Sequence, residues 1–257
     1  MQADVVLTVS ESKRLIAKGV VALPCLKRAR ENGYVVVCTG TTNAFVAEEL
    51  LGEPMVKPPF LTGHTTPAKV PSAGYIPSPM KTDLVFKNGQ LVEDMSKFDA
   101  VKDFAAGDVL IKGANALNYE QQVAGVLIGH PEGGTVGGVL GPVIARKATL
   151  VIPCGLEKEV ACDLLEVQRL QGQFDEQLNG VPSLWPVTGE IVTEIEALQV
   201  LTGCDAIHYS SGGILGAEGA VRLLLTGSAE SVKAALALCQ SIHGEPSFLE
   251  QCEAARV

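Results

Sequence analysis

"YVVVCTGTTNAFVAEELLG", residues 34–52, joins a short β-branched apolar run to a segment in which Phe45, Val46, Leu50 and Leu51 share one helical face. It reads as a buried strand turning into a helix. The turn is Gly40, Thr41, Thr42 and Asn43. A strand-to-helix turn presents unpaired backbone N–H groups at the positive end of a helix dipole, and here two hydroxyls add donors and a glycine allows close approach. It is either a seat for an anion or a helix start capped by Thr42 or Asn43.

Similar apolar runs recur along the chain. Val109–Lys112 leads into Gly113, residues 123–128 lead into Gly129, and Thr149–Ile152 leads into Pro153. Apolar strands at helix-sized intervals predict an α/β fold with a mainly parallel open sheet and helices on both faces. Ligands of such sheets bind beyond the carboxyl ends of the strands, a rule that gathers the turns at 40–43, 113–118, 129–138 and 153–158 at one edge. Asn88-Gly89 between apolar residues predicts a hairpin. Beyond residue 180 the predicted order is β-α-β-β-α, with helices over 193–201 and 228–243 capped by Thr193 and Ser228. The expected division is therefore an α/β domain over 1–180 and a smaller ferredoxin-like α+β domain over 181–257.

The 257 residues carry a formal charge of −9, and no Lys/Arg cluster is interleaved with aromatics, so nucleic acid is not an expected partner. No apolar run is long enough to span a bilayer and the N-terminus lacks signal-peptide features, which predicts a cytoplasmic protein with no membrane partner. Seven cysteines, an odd number, point to reduced thiols. Neither CxxC nor HxxxH spacing occurs, so no metal and no cofactor is expected. Residues 53–82 hold seven of the fourteen prolines and lack any period, which suits a loop packed across the subunit surface, or else a lid, a binding loop or an interface arm of a homo-oligomer. His64, Thr65, Thr66, Lys69 and Lys81 are the polar groups of that segment.

Taken together, the turns resemble those of the ribose-5-phosphate isomerase and CoA-transferase superfamily over residues 34–160. Gly40–Ala44 stands where that family has its phosphate turn, and residues 112–117 where it has an acidic loop. Residues 128–134 stand in the region of its glycine-rich lysine loop, and 153–158 at its last stretch, which closes on a lysine. The resemblance implies the fold and a seat for a small phosphorylated anion. Its acidic loop is here neutral at Asn115 and Ala116, and its general-base position falls near Val139, so a pentose-phosphate role is not implied.

Glu132 is the sole carboxylate in "GVLIGHPEGGTVGG", residues 125–138, and stands beside His130. The two form a candidate acid/base pair, against a structural histidine and a carboxylate capping the next helix. Lys112 could neutralise an anion or steady an enediolate. Gly40, Thr41, Thr42, Asn43, Gly113, Asn115, Gly133 and Gly134 are the candidate substrate-binding residues. Cys154 reads as a buried, inert thiol, and Ser10-x-x-Lys13 matches an acyl-enzyme motif without its companions. The expected function is an enzyme moving a proton, in the manner of an isomerase, on a small phosphorylated or carboxylated metabolite. The alternative is a non-catalytic metabolite sensor or interaction protein.

Overall fold

After β1 (Gln2–Leu7), Thr8 and Glu11 close a reciprocal cap that starts α1 (Val9–Ala22), and Pro24 opens α2 (Pro24–Asn32). The stretch quoted above is β2 (Tyr34–Val37) followed by α3 (Thr41–Leu51), which ends at Gly52 in the left-handed region. Asn88 and Gly89, both at positive φ, turn β3 (Leu84–Lys87) into β4 (Gln90–Leu91), the hairpin its sequence predicts. Next come α4 (Lys97–Ala100), β5 (Val109–Ile111), β6 (Ala116–Asn118), β7 (Val123–Ile128), α5 (Gly134–Ala145) and β8 (Thr149–Pro153). A single 3-10 turn (Leu156–Lys158) precedes α6 (Leu164–Gln171), β9 (Ser183–Val187) and β10 (Glu190–Val192). Then α7 (Glu194–Thr202), β11 (Asp205–Ser211), β12 (Val221–Thr226), α8 (Ala229–Ser241) and α9 (Phe248–Ala254) follow. Thr193 and Ser228 cap α7 and α8. The computed structural model describes residues 1–69 and 83–255. The rest of the Pro-rich segment, with Lys81, lies outside the described residues.

Val35–Val37, Val109–Ile111, Val151 and Ile152 are shielded from water, as strands sandwiched between other elements must be. They form the centre of a mixed six-stranded sheet in the order β10-β8-β5-β2-β3-β4. The strands from β10 to β2 are parallel, whereas β3 and β4 run antiparallel. The fold is accordingly α/β. Two small antiparallel sheets, β6-β7-β9 and β1-β12-β11, stand apart from the large one.

Two expectations are corrected here. First, β7 is not a strand of the large sheet. It folds back on β6 through a four-residue turn and takes β9 as its other neighbour. A local hairpin closes with little loop entropy, while its apolar sequence alone cannot distinguish that pairing from a parallel one. The loop at 129–138 therefore leaves the carboxyl edge. Second, residue 181 is not the border of a separable unit. β9 pairs with β7, β10 pairs with β8, and the hairpin of β11 and β12 is completed by β1 from the other end of the chain. The predicted element order is present, but β10 belongs to the large sheet, and both parts contribute to one continuous core.

On the large sheet, α1 packs between α3 and α7 and reaches β8 and β10. Gly19 makes this possible: a Cβ there would lie 2.6 Å from the Ala197 Cα. Arg14 fastens the other side through Glu48 and, at 2.9 Å, Glu49 and Glu245. Ser12 near Glu194 and Gly19 against Ala197 make α1 and α7 run in the same sense, and their N-termini point to the carboxyl edge.

Replacing Gly19 with Ala forces α1 and α7 apart, and chemical denaturation is expected to show a loss of about 1–3 kcal/mol. Residues 181–257 produced alone are expected to give the narrow amide dispersion of an unfolded chain in a ¹H–¹⁵N spectrum, because β9, β10 and the β11–β12 hairpin all lose partners.

Candidate functional site at the carboxyl edge

Strands β2, β5, β8 and β10 end side by side, and polar residues gather at and just beyond their ends. Asn43 ties two strand ends together, its Nδ2 donating to the carbonyls of Cys38 at 2.7 Å and Ile111 at 3.2 Å. Gly113 lies between the next pair, since a Cβ on it would stand 3.6 Å from both Asn43 Oδ1 and the Pro153 carbonyl. The first turn of α3 has no side-chain cap, and the amides of Thr41, Thr42 and Asn43 donate to none of the described residues. The amide of Gly40 is already used by the Phe60 carbonyl at 2.9 Å. The turn thus keeps its donors, and neither Thr42 nor Asn43 serves as a cap.

Lysines lie along this edge. Lys112 is partly buried and donates to the neighbouring carbonyl of Gly113 at 2.8 Å. Burial, with help from the Lys158 and Lys97 charges, pushes its pKa down. Lys13, on the first turns of α1, is only 8% exposed, and among the described residues no hydrogen bond or ion pair to its amine is present. Burial and the Lys158 ammonium push Lys13 down to about 8, against the pull of Glu157. Lys97, by contrast, is paired with Asp83 at 2.8 Å.

Two carboxyls complete the edge. Glu194, wholly buried, accepts the Leu156 amide at 3.0 Å through Oε2 and leaves Oε1 without a partner. Burial first, and the Glu157 charge second, push it up to about 7. Glu157 stands 3.9 Å from the Lys158 amine through Oε1, while its Oε2 is buried and unpartnered. Both orphaned oxygens flank Gly155: a Cβ there would overlap Glu157 Oε2 and come within 3.2 Å of Glu194 Oε1. Ser12 Oγ comes near Glu194 without closing a well-formed hydrogen bond. Ser12, Thr42, Asn43, Glu157 and Glu194 supply all the buried side-chain N and O atoms without a partner among the described residues, and all five lie at this edge. Buried polar groups ordinarily find partners, so this concentration makes the edge the candidate site. Cys38 and Cys154 lie beneath it, and burial pushes both thiols up to about 12, which leaves them unreactive.

The structure divides the residues expected from sequence. Gly40, Thr41, Thr42, Asn43, Lys112 and Gly113 are brought together. His130 and Glu132 are not: both are exposed on the loop after β7, and no hydrogen bond or ion pair among the described residues joins them to Lys112. The Glu132 amide donates to His130 Nδ1 at 3.2 Å, and the Glu132 carboxylate does not cap α5, whose N-cap residue is Gly133. Gly133 and Gly134 shape that loop, with Gly133 against Trp185. Asn115 has a structural task, its Oδ1 accepting the Leu127 amide at 3.0 Å. The expected acid/base pair is thereby displaced because β7 left the large sheet.

Sequence reasoning passed over Ser12, Lys13, Glu157 and Glu194 as site residues. A usable signal existed for two of them: Lys13 is in helical phase with Ile16, Ala17 and Val20, and Glu194 with Ala197 and Leu198. A charge on the apolar face of a helix is costly unless it is used. A separate surface cleft of 360 Å³ beside Arg14, Lys18 and His243 contains no orphaned polar atom, and its Arg14 is already paired.

Among the described residues no group of three or more His, Cys, Asp or Glu could hold a metal ion, and no helix is long and apolar enough to cross a membrane. No protein-family model, curated protein or solved structure matches this chain.

Glu194 sets a pH dependence. The folded protein keeps this proton up to about pH 7, whereas the unfolded chain releases it near the ordinary 4.5. Stability contributed by the group is complete below 4.5 and is lost as pH rises through 7, on the order of 3 kcal/mol in all. Glu194→Gln is expected to remove that decline, which thermal melts of both proteins from pH 5 to 8 would show as converging curves at low pH and a more stable variant at high pH.

Proposed function

We propose that the carboxyl edge binds a small phosphorylated or carboxylated metabolite and moves a proton on it. The observation that carries this reading is the pairing of under-used cations with orphaned carboxyl oxygens. Lys112 has only a backbone carbonyl and Lys13 has no partner among the described residues, within one edge that also holds the unpartnered oxygens of Glu157 and Glu194. In a chain of net charge −9, cations left without carboxylate partners are a selective attraction for an anion. Lys112, Lys158 and the free amides of Thr41–Asn43 hold the anionic group. Glu157 meets the substrate, and Glu194 behind it stores or returns the proton, since its raised pKa keeps both protonation states accessible near neutral pH. A lysine beside the reacting carbonyl then stabilises the developing enediolate. In this reading Glu157 and Glu194 take the acid/base role expected from sequence of Glu132 and His130. An α/β sheet whose ligands gather beyond its parallel strand ends supports the location.

The experiment is hydrogen exchange in D₂O. The protein is incubated with sugar phosphates, 2-oxo acids and short acyl thioesters, and loss of the C–H signal next to the carbonyl is followed by ¹H NMR. Glu157→Gln is expected to slow exchange by roughly a hundredfold or more with anion affinity retained. Lys112→Met should weaken affinity, measured by calorimetry, by roughly tenfold or more. Exchange that survives in Glu157→Gln would remove the carboxyl from its role. Binding with no exchange would instead favour a metabolite sensor.

A further inference from the structure

Resting on the anion-binding reading above, we propose that Lys13 is a covalent catalyst, its Nζ forming an imine with the carbonyl carbon of an anionic aldehyde or ketone. The substrate class narrows accordingly to a 2-oxo acid or a phosphorylated carbonyl compound.

The geometry singles out this lysine. The other shielded cations nearby differ from it: Arg14, the next residue, is paired with three carboxylates, Lys57 with Glu48 at 2.8 Å and Lys97 with Asp83, while Lys112, which lacks a carboxylate, still donates to the Gly113 carbonyl. Lys13 alone combines a side chain only 8% exposed with an amine that has no hydrogen-bonded or ionic partner among the described residues, and that amine end is not itself sealed off, which leaves it open to a ligand at the edge. Partial desolvation of the stem and amine disfavours the ammonium relative to the neutral amine. The surroundings favour the neutral form. The positive end of α1 and the Lys158 charge both oppose protonation, and Glu157 is the one opposing charge identified near the amine. Desolvation and a neighbouring cation are the two general means by which a lysine becomes a nucleophile at neutral pH.

The step balances without a redox partner. The Nζ lone pair attacks the carbonyl carbon, the C–N bond forms, and the C=O π electrons move to oxygen. A proton held by the Glu157–Glu194 pair passes to that oxygen. The nitrogen gives up its two hydrogens, one to oxygen and one back to the carboxyls, as the C–O bond breaks and water leaves. The net change is carbonyl plus primary amine to imine plus water. The carboxyl pair then passes its proton to the imine nitrogen; the protonated imine draws electrons from the adjacent C–H bond more strongly than the carbonyl does, and Glu157, now ionised, can remove that hydrogen. Lys13 thus explains why an amine and two carboxyls share one dry edge.

The test is reductive trapping of the full chain with sodium cyanoborohydride and either pyruvate or glyceraldehyde 3-phosphate, followed by peptide mapping. The expected result is one adduct on Lys13, at least tenfold above that on the exposed Lys27 and Lys233, competed by inorganic phosphate and absent from Lys13→Arg. Mapping on the unaltered protein makes the result independent of how that variant folds. No adduct, or one spread over surface lysines, overturns the imine. If D₂O exchange persists in that case, the proton-transfer reading stands and only the covalent step falls. An adduct on Lys13 without any exchange supports the imine and removes the proton shift.

Discussion

The packing of α1 between α3 and α7 is the constraint on which the candidate site depends. Contact without a side chain at Gly19 lets α1 approach Ala197 closely, and Arg14 holds the opposite flank through three carboxylates while lying over the Phe45 ring at 4.9 Å. With α1 fixed on both sides, its first turns project over the ends of β8 and β10. There Ser12 comes near Glu194, at the start of α7, and the Lys13 amine lies within the influence of the Glu157 charge, both carboxyls being more than a hundred residues away along the chain. Glu11 secures the same turn twice, capping Thr8 and accepting the Gly244 amide at 2.7 Å.

Electrostatically, the edge is an exception within an acidic protein. Elsewhere the shielded charges are neutralised locally, as in Lys57 with Glu48 and Lys97 with Asp83. At the edge, Lys13 and Glu194 are each disfavoured in their charged forms by burial, and each is pushed toward neutrality. Such groups lower stability in the free protein and become useful when a ligand supplies the missing partner. Under the proposed function, stability and ligand binding therefore compete at the same atoms.

The way the chain closes has a related effect. β1 joins β12, β10 joins β8 and β9 joins β7, so residues far apart in sequence hold each other in all three sheets. The candidate site draws on β2, β5, β8, β10 and the start of α1, each held by partners distant in the chain.

Much of this was legible before any coordinates. The buried strands around 34–38, 109–112 and 149–152, the strand-to-helix turn at 40–43, the Asn88-Gly89 hairpin and the caps at Thr193 and Ser228 are consequences of local periodicity and backbone preference, which a sequence displays directly, whereas the lack of a Thr42 or Asn43 cap is not. Strand partnership is not of that kind. The same apolar run in β7 satisfies a parallel sheet or an antiparallel hairpin, and β10 fits beside β8 or β11 equally well by composition. Only the competition among all possible pairings decides between them. That decision removed His130 and Glu132 from the edge, brought Lys13 and Glu194 into it, and did so because the relevant distances are set by packing across the whole core rather than by spacing along the chain.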